Sequence, residues 1–228
     1  MKRLIFIMTA LAAIAFSLNA QENVWANFSR YADANKQVLE AQKNGASKPL
    51  AVLMGDSITD GWYNADKAFF TDNNLLGRGI SGQCTSHMLV RFQRDVVELQ
   101  PKYVAILAGI NDIAHNANYV DVEDALLNIV SMCDIADRYK IKVVLCTTTP
   151  GNPGWRPELK NMHEQAVWLN EQIRQLAKDR HYKLADYAAA LQDETGMTSS
   201  KYSKDTVHPN LDGYKVMEEL LLKVLKKK

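Results

Sequence analysis

Five residues are of types that acyl transfer uses: Ser57, Gly82, Asn111, Asp205 and His208, set in the segments "GDSIT", "GISGQ", "GIND" and "DTVHP". A serine hydroxyl is a weak nucleophile until a histidine within hydrogen-bond reach takes its proton. The histidine works best when a carboxylate fixes its tautomer and stabilises the imidazolium. Asp205 and His208 stand three residues apart in a turn that Pro209 stiffens, so the carboxylate can reach the ring without help from elsewhere. The remaining need is a set of donors where negative charge develops on the attacked carbonyl. The backbone N–H of Ser57 at a helix start, the backbone N–H of Gly82 and the side-chain amide of Asn111 would supply it. Glycine suits that role because it lets a substrate approach the main chain closely. The chemistry of such a set is ester hydrolysis through an acyl-serine.

Taken singly, each residue has an ordinary alternative. Ser57 reads as a helix N-cap, His208 as a structural or exposed histidine, Asn111 and Asp112 as turn and cap residues, and Gly82 as a turn glycine. Their joint placement favours catalysis. His87, His115, His163 and His181 lack comparable companions, with His115 the nearest exception, four residues beyond Asn111. Asp56, next to the serine, is read as holding its loop by local hydrogen bonds rather than as the triad acid.

Strand ends must bring these residues together. The runs "PLAVLMG", "NLLGRGI", "KYVAILAG", "IKVVLCTT" and, more weakly, "YKLADY" are short and continuously apolar, as strands buried on both faces are. Helical patterns separate them. "DVEDALLNIVSMCDIADRYK" opens on acids and closes on bases, as the helix dipole favours, and the stretches 158–179 and 210–228 repeat the apolar helical spacing. Ahead of the first strand, "ENVWANFSRYADANKQVLEAQ" reads as one or two helical turns. Alternating strand and helix means α/β with a parallel sheet, in three layers. Ligands of such sheets bind at the carboxyl ends of the strands. Ser57 follows the first run, Gly82 the second and Asn111 the third, and "DTVHPN" lies just before the last helix.

The chain has 228 residues and a net charge of +1. Its first twenty, "MKRLIFIMTALAAIAFSLNA", read as a cleaved secretory signal: Lys2 and Arg3, an apolar run to Phe16, and Ala20 at the junction. The run is too short for a spanning helix, which needs roughly 20 apolar residues. The expected product is a secreted or periplasmic domain over 21–228, with no stable membrane insertion. Without Lys2 and Arg3 the balance is close to neutral, which argues against nucleic acid. Cys84, Cys133 and Cys146 match no zinc spacing, and no metal or other cofactor is expected. In an oxidising compartment Cys133 and Cys146 could pair, but buried thiols fit equally well. The lysines at 226–228 read as the solvated end of a helix.

On its four blocks the sequence resembles the SGNH hydrolases, also called the GDSL lipases and esterases. The blocks occur in that family's order and span most of the chain. The resemblance implies a flavodoxin-like α/β/α sandwich with five parallel strands in the order 2-1-3-4-5. It also implies Ser57 as nucleophile, His208 as base, Asp205 as its orienter, and Ser57, Gly82 and Asn111 as oxyanion donors. The serine does not sit in the Gly-x-Ser-x-Gly elbow of the α/β-hydrolases. Gly77 stands where the second block often has Asn, and Gln83 where it often has Asp; neither change removes a catalytic group.

Trp62, Trp155 and Tyr202 are candidate walls for the substrate, and for Trp62 and Trp155 the alternative is simple loop packing. Aromatic walls beside polar groups suit an acylated sugar, and no long loop is available as a lid over an acyl chain. A carbohydrate esterase acting on acetyl or other short acyl groups is therefore the first expectation. A lysophospholipase-like lipolytic esterase is the second, and a non-catalytic glycan-binding module is the alternative from another class. Oligomeric state is left open.

Overall fold

The computed structural model describes residues 25–116, 121–150 and 156–227. The expected leader over 1–20 and Trp155 therefore lie outside the described residues. In chain order the elements are α1 (Ala32–Lys43), β1 (Ala51–Gly55), α2 (Ser57–Ala65), α3 (Lys67–Asp72), β2 (Leu75–Gly79) and α4 (Thr85–Phe92). A π-helical turn, Gln93–Val97, continues α4. Then come β3 (Tyr103–Leu107), α5 (Ile110–Ile113), α6 (Val122–Arg138), β4 (Lys142–Cys146), α7 (Met162–Asp179), β5 (Lys183–Ala185), α8 (Tyr187–Leu191) and α9 (Leu211–Lys226).

All five strands are parallel, in the order 2-1-3-4-5. The strands are apolar on both faces because helices cover both. On one side α2 and α9 meet: Tyr214 of α9 donates its hydroxyl proton to the Ile58 carbonyl of α2 at 2.9 Å. On the other, α4 packs on α6 and α6 on α7. There Asn35 of α1 donates to Asp95 in the π-helical turn at 2.7 Å. At twelve residues α1 is longer than the one or two turns expected, because buried polar contacts hold a segment whose outward face is weakly patterned.

Register aligns the reactive edge. Gly55 at the end of β1 pairs with Gly79 of β2 and Leu107 of β3, so the three strands finish level. The segments bearing Ser57, Gly82 and Asn111 all leave from that row. Cys133 and Cys146 are buried thiols not bonded to each other, and burial pushes both up to about 12.

Candidate active site

Ser57 is the first residue of α2, and Asp56 caps that helix by accepting the Ile58 N–H at 2.9 Å. Asp56 is thus the local brace expected of it. Burial raises its carboxyl to about 7, against the lowering effects of the Ile58 N–H and the His208 charge. The cap leaves the Ser57 N–H at the helix start, where no preceding carbonyl takes it.

Ser57 Oγ lies 2.8 Å from His208 Nε2. His208 Nδ1 lies 2.6 Å from Asp205 Oδ2. Because a carboxylate can only accept, the ring proton sits on Nδ1, and Nε2 is left to accept the serine hydroxyl. Asp205 also accepts the His208 N–H at 2.7 Å, the Val207 N–H at 3.1 Å and the Ser203 hydroxyl at 3.1 Å. Burial alone would raise its carboxyl, but the hydrogen bonds from His208 and Val207 outweigh burial and hold it below the ordinary carboxylate value. One residue past Pro209, Asn210 caps α9 by accepting the Gly213 N–H at 3.0 Å, which fixes where the turn leaves the helix.

Gly82 sits at φ +80°, where L side chains are strained, and a Cβ there would face open space. Beside it, the Gln83 carbonyl accepts from Asn111 Nδ2 at 3.0 Å. Asn111, 2% exposed, belongs to the short α5, which starts at Gly109 with φ +117°. Asp112 turns the other way and accepts both the N–H and the hydroxyl of Thr85, tying the start of α4 to α5.

The five residues expected to act together are thus placed on neighbouring segments of one edge. The proposed walls fare differently. Trp62 is 1% exposed, stacked on Phe69 and Tyr214, with its indole N–H donated to Glu218 at 3.2 Å. It is a core residue of the α2–α9 contact and not a substrate wall: its i,i+4 spacing from Ile58 puts it on the inward face of α2. Tyr202 is half-buried and packs on the core, with Lys201 Nζ 5.0 Å from its ring centroid.

A buried polar group beneath the site was not expected. Arg91, wholly buried, donates to the Gly55 carbonyl at 3.0 Å, to Gln83 Oε1 at 2.6 Å and to Asp95 at 2.9 Å. Gln83 also donates to the Ala26 carbonyl at 3.2 Å. The position that departs from the common pattern therefore turns its side chain down into this network. The available signal was that Cys84, Met88, Arg91 and Asp95 fall on one helical stripe, which puts an Arg–Asp pair on an otherwise apolar face.

Two broad surface grooves of about 750 and 760 Å³ lie at the opposite, amino edge of the sheet, between Lys48 and Lys140 and between Lys142 and Lys223. Neither includes Ser57 or His208. Among the described residues no group of three or more His, Cys, Asp or Glu is placed to hold a metal ion.

Comparison with known proteins agrees with this fold. The model of the GDSL-like lipase/acylhydrolase family matches residues 53–216. A GDSL-like lipase from Bacteroides thetaiotaomicron superposes with a TM-score of 0.79 at 35% identity, over 89% of this chain and 98% of that one. An acetylxylan esterase from Geobacillus stearothermophilus shares the fold, with a TM-score of 0.63 at 18% identity over 80% of this chain and 96% of that one. A lipoprotein of Bacillus subtilis, YqeF, is 32% identical over 116 residues, covering 43% of this chain and 48% of that protein. The chain thus spans about half the length of that curated relative.

Proposed function

Since the chain belongs to the GDSL-like lipase/acylhydrolase family, we propose that it is a secreted serine esterase that removes acetyl or other short acyl groups from carbohydrate. The observation that carries this reading is the unbroken line from Ser57 Oγ through the His208 ring to Asp205, at 2.8 and 2.6 Å. Ser57 attacks the ester carbonyl while His208 Nε2 takes its proton. Asp205 keeps the ring in the tautomer that can do so and stabilises the imidazolium. The carbonyl oxygen, now negative, is met by the N–H groups of Ser57 and Gly82 and the second amide N–H of Asn111. His208 then returns its proton to the departing sugar oxygen. A water activated by the same ring hydrolyses the acyl-serine.

The short acyl group follows from the openness of the edge. The His208 side chain is 35% exposed and that of Asp205 47%, so the reacting atoms lie at an accessible surface. A long acyl chain gains affinity by burial along apolar walls. An acetyl group needs none, and the open space beside Gly82 admits a bulky sugar. The acetylxylan esterase of the same fold performs such chemistry in its own case. Secretion rests on the leader and on the similarity to a lipoprotein.

Labelling with a fluorophosphonate probe tests the nucleophile: the parent should label and Ser57→Ala should not. A folded parent that takes no label would favour a binding module. Hydrolysis rates on acetylated glycans and on long-chain lysophospholipids test the substrate class. A preference for acyl chains longer than about eight carbons, whose burial would dominate binding, would favour the lipolytic reading.

A further inference from the structure

Resting on the reading of Asn111 as an oxyanion donor, we infer that Asn116 and Arg156 are positioning residues, forming a one-way hydrogen-bond relay that fixes the sense of the Asn111 amide. Three bonds form the relay. Arg156 Nη2 donates to Asn116 Oδ1 at 2.7 Å. Asn116 Nδ2 donates to Asn111 Oδ1 at 2.6 Å. Asn111 Nδ2 donates to the Gln83 carbonyl at 3.0 Å.

The two ends dictate the middle. A guanidinium can only donate and a backbone carbonyl can only accept, so the two amides between them have one self-consistent arrangement. Turning Asn111 over would set its Oδ1 against the Gln83 carbonyl and its Nδ2 against Asn116 Nδ2. That orientation would also present an oxygen to the substrate oxygen as it becomes negative. Asn111 is 2% exposed, so water has little access to its amide and mispairing there is costly, while Asn116 lies at the surface and is held by its bonds to Arg156 and Asn111. The relay therefore selects the state in which both N–H groups of Asn111 point away from Asn116, one to Gln83 and one to the oxyanion.

Backbone geometry builds the first link. α5 ends in a Schellman turn: the His115 N–H bonds the Asp112 carbonyl at 3.0 Å and the Asn116 N–H bonds the Asn111 carbonyl at 3.0 Å. His115 takes the left-handed position with φ 54°. This returns Asn116 to Asn111, five residues earlier. Arg156 comes from the segment after β4, 40 positions further along the chain. Its guanidinium, 39% exposed, heads the relay at the surface as a group that can only donate, which fixes the sense of the Asn116 amide. Glu158, 61% exposed and 3.6 Å from Arg156 Nη1, takes only a share of the guanidinium's charge.

The test is steady-state hydrolysis of p-nitrophenyl acetate by the full chain and its variants. Asn116→Asp keeps the size and the acceptor for Arg156 but removes the N–H that Asn111 needs. It should lower kcat by roughly tenfold or more with KM little changed, as loss of a transition-state interaction requires. Arg156→Gln should lower kcat several-fold, and Arg156→Lys, which keeps charge and donor, should recover most of it. In an Asn111→Ala background, itself expected to be slower by about 100-fold, Asn116→Asp should cost nothing more. Parental kcat in Asn116→Asp, or an equal loss in both backgrounds, would overturn the relay while leaving the oxyanion reading intact. Parental kcat in Asn111→Ala would overturn the oxyanion reading, and the relay with it.

Discussion

Ser57 and His208, 151 positions apart, meet at 2.8 Å because α2, which follows the first strand, and the last helix, α9, meet on the same side of the sheet. The contact between Tyr214 and the Ile58 carbonyl fixes that docking, and Trp62 is stacked within it. On the proposed mechanism the pair acts as a unit. Ser57→Ala and His208→Ala should each lower kcat by about 10⁴-fold or more, and the double variant should be no worse than the poorer single. Active-site titration alongside rate measurement would check this, and substantial turnover by either variant would remove the residue from the mechanism.

Gly82 tests the backbone side of the proposed oxyanion site. A Cβ at this position meets no atom within 4 Å, so Gly82→Ala introduces no clash, only the cost of a left-handed alanine. That cost is about 1 kcal/mol. If the peptide rotates to relieve it, the N–H leaves its line. The expected result is a small loss in unfolding free energy together with a kcat fall of roughly tenfold. Unchanged kcat would mean that the Gly82 N–H is not a donor to the transition state.

Asp56 gives the protein a pH-dependent weakness. Its buried carboxyl titrates at about 7 when folded and near the ordinary aspartate value when unfolded. Between those values the folded state holds the proton more tightly, so stability falls as pH rises through this window and levels above it. Asn can accept the same Ile58 N–H, so Asp56→Asn should keep the cap. Its melting temperature relative to the parent should rise from pH 4 to pH 7 and then stay constant. A difference independent of pH would show that the carboxyl is not the group responsible.

Arg91→Met should destabilise strongly. It leaves the Asp95 carboxylate without its 2.9 Å partner, while the Gly55 carbonyl and Gln83 Oε1 lose a donor. Breaking a buried pair in this way costs about 3–5 kcal/mol, readable as a lower urea midpoint. A loss below about 1 kcal/mol would place the group's energetic weight elsewhere.

Much of this was legible in the sequence because the relevant signals are local. Each strand is a short apolar run, and Asp205 and His208 share one turn. Ser57, Gly82 and Asn111 each follow a strand directly, so the parallel topology alone gathers them. Trp62 was misread because its neighbours in sequence are polar, whereas its environment comes from Tyr214 and Glu218, far along the chain. The length of α1 was hidden for the same reason, since Asn35 finds Asp95 60 positions further along the chain. Arg91 differs: Asp95 and Gln83 lie four and eight residues away, and their helical stripe was the signal available. Arg156 gave no signal, since only the fold brings it to Asn116, 40 positions earlier, and Asn116 meets Asn111 through a turn whose form the sequence did not announce.

The turn from Asp205 to His208 is self-contained: acid and base pair across three residues without support from the sheet. In chain order the serine precedes the histidine of this turn by 151 residues. A chain cut anywhere between them holds the hydroxyl without its proposed base. On the proposed mechanism the base reaches the hydroxyl only when α9 has packed over Trp62, so one helix–helix contact decides whether the serine can react.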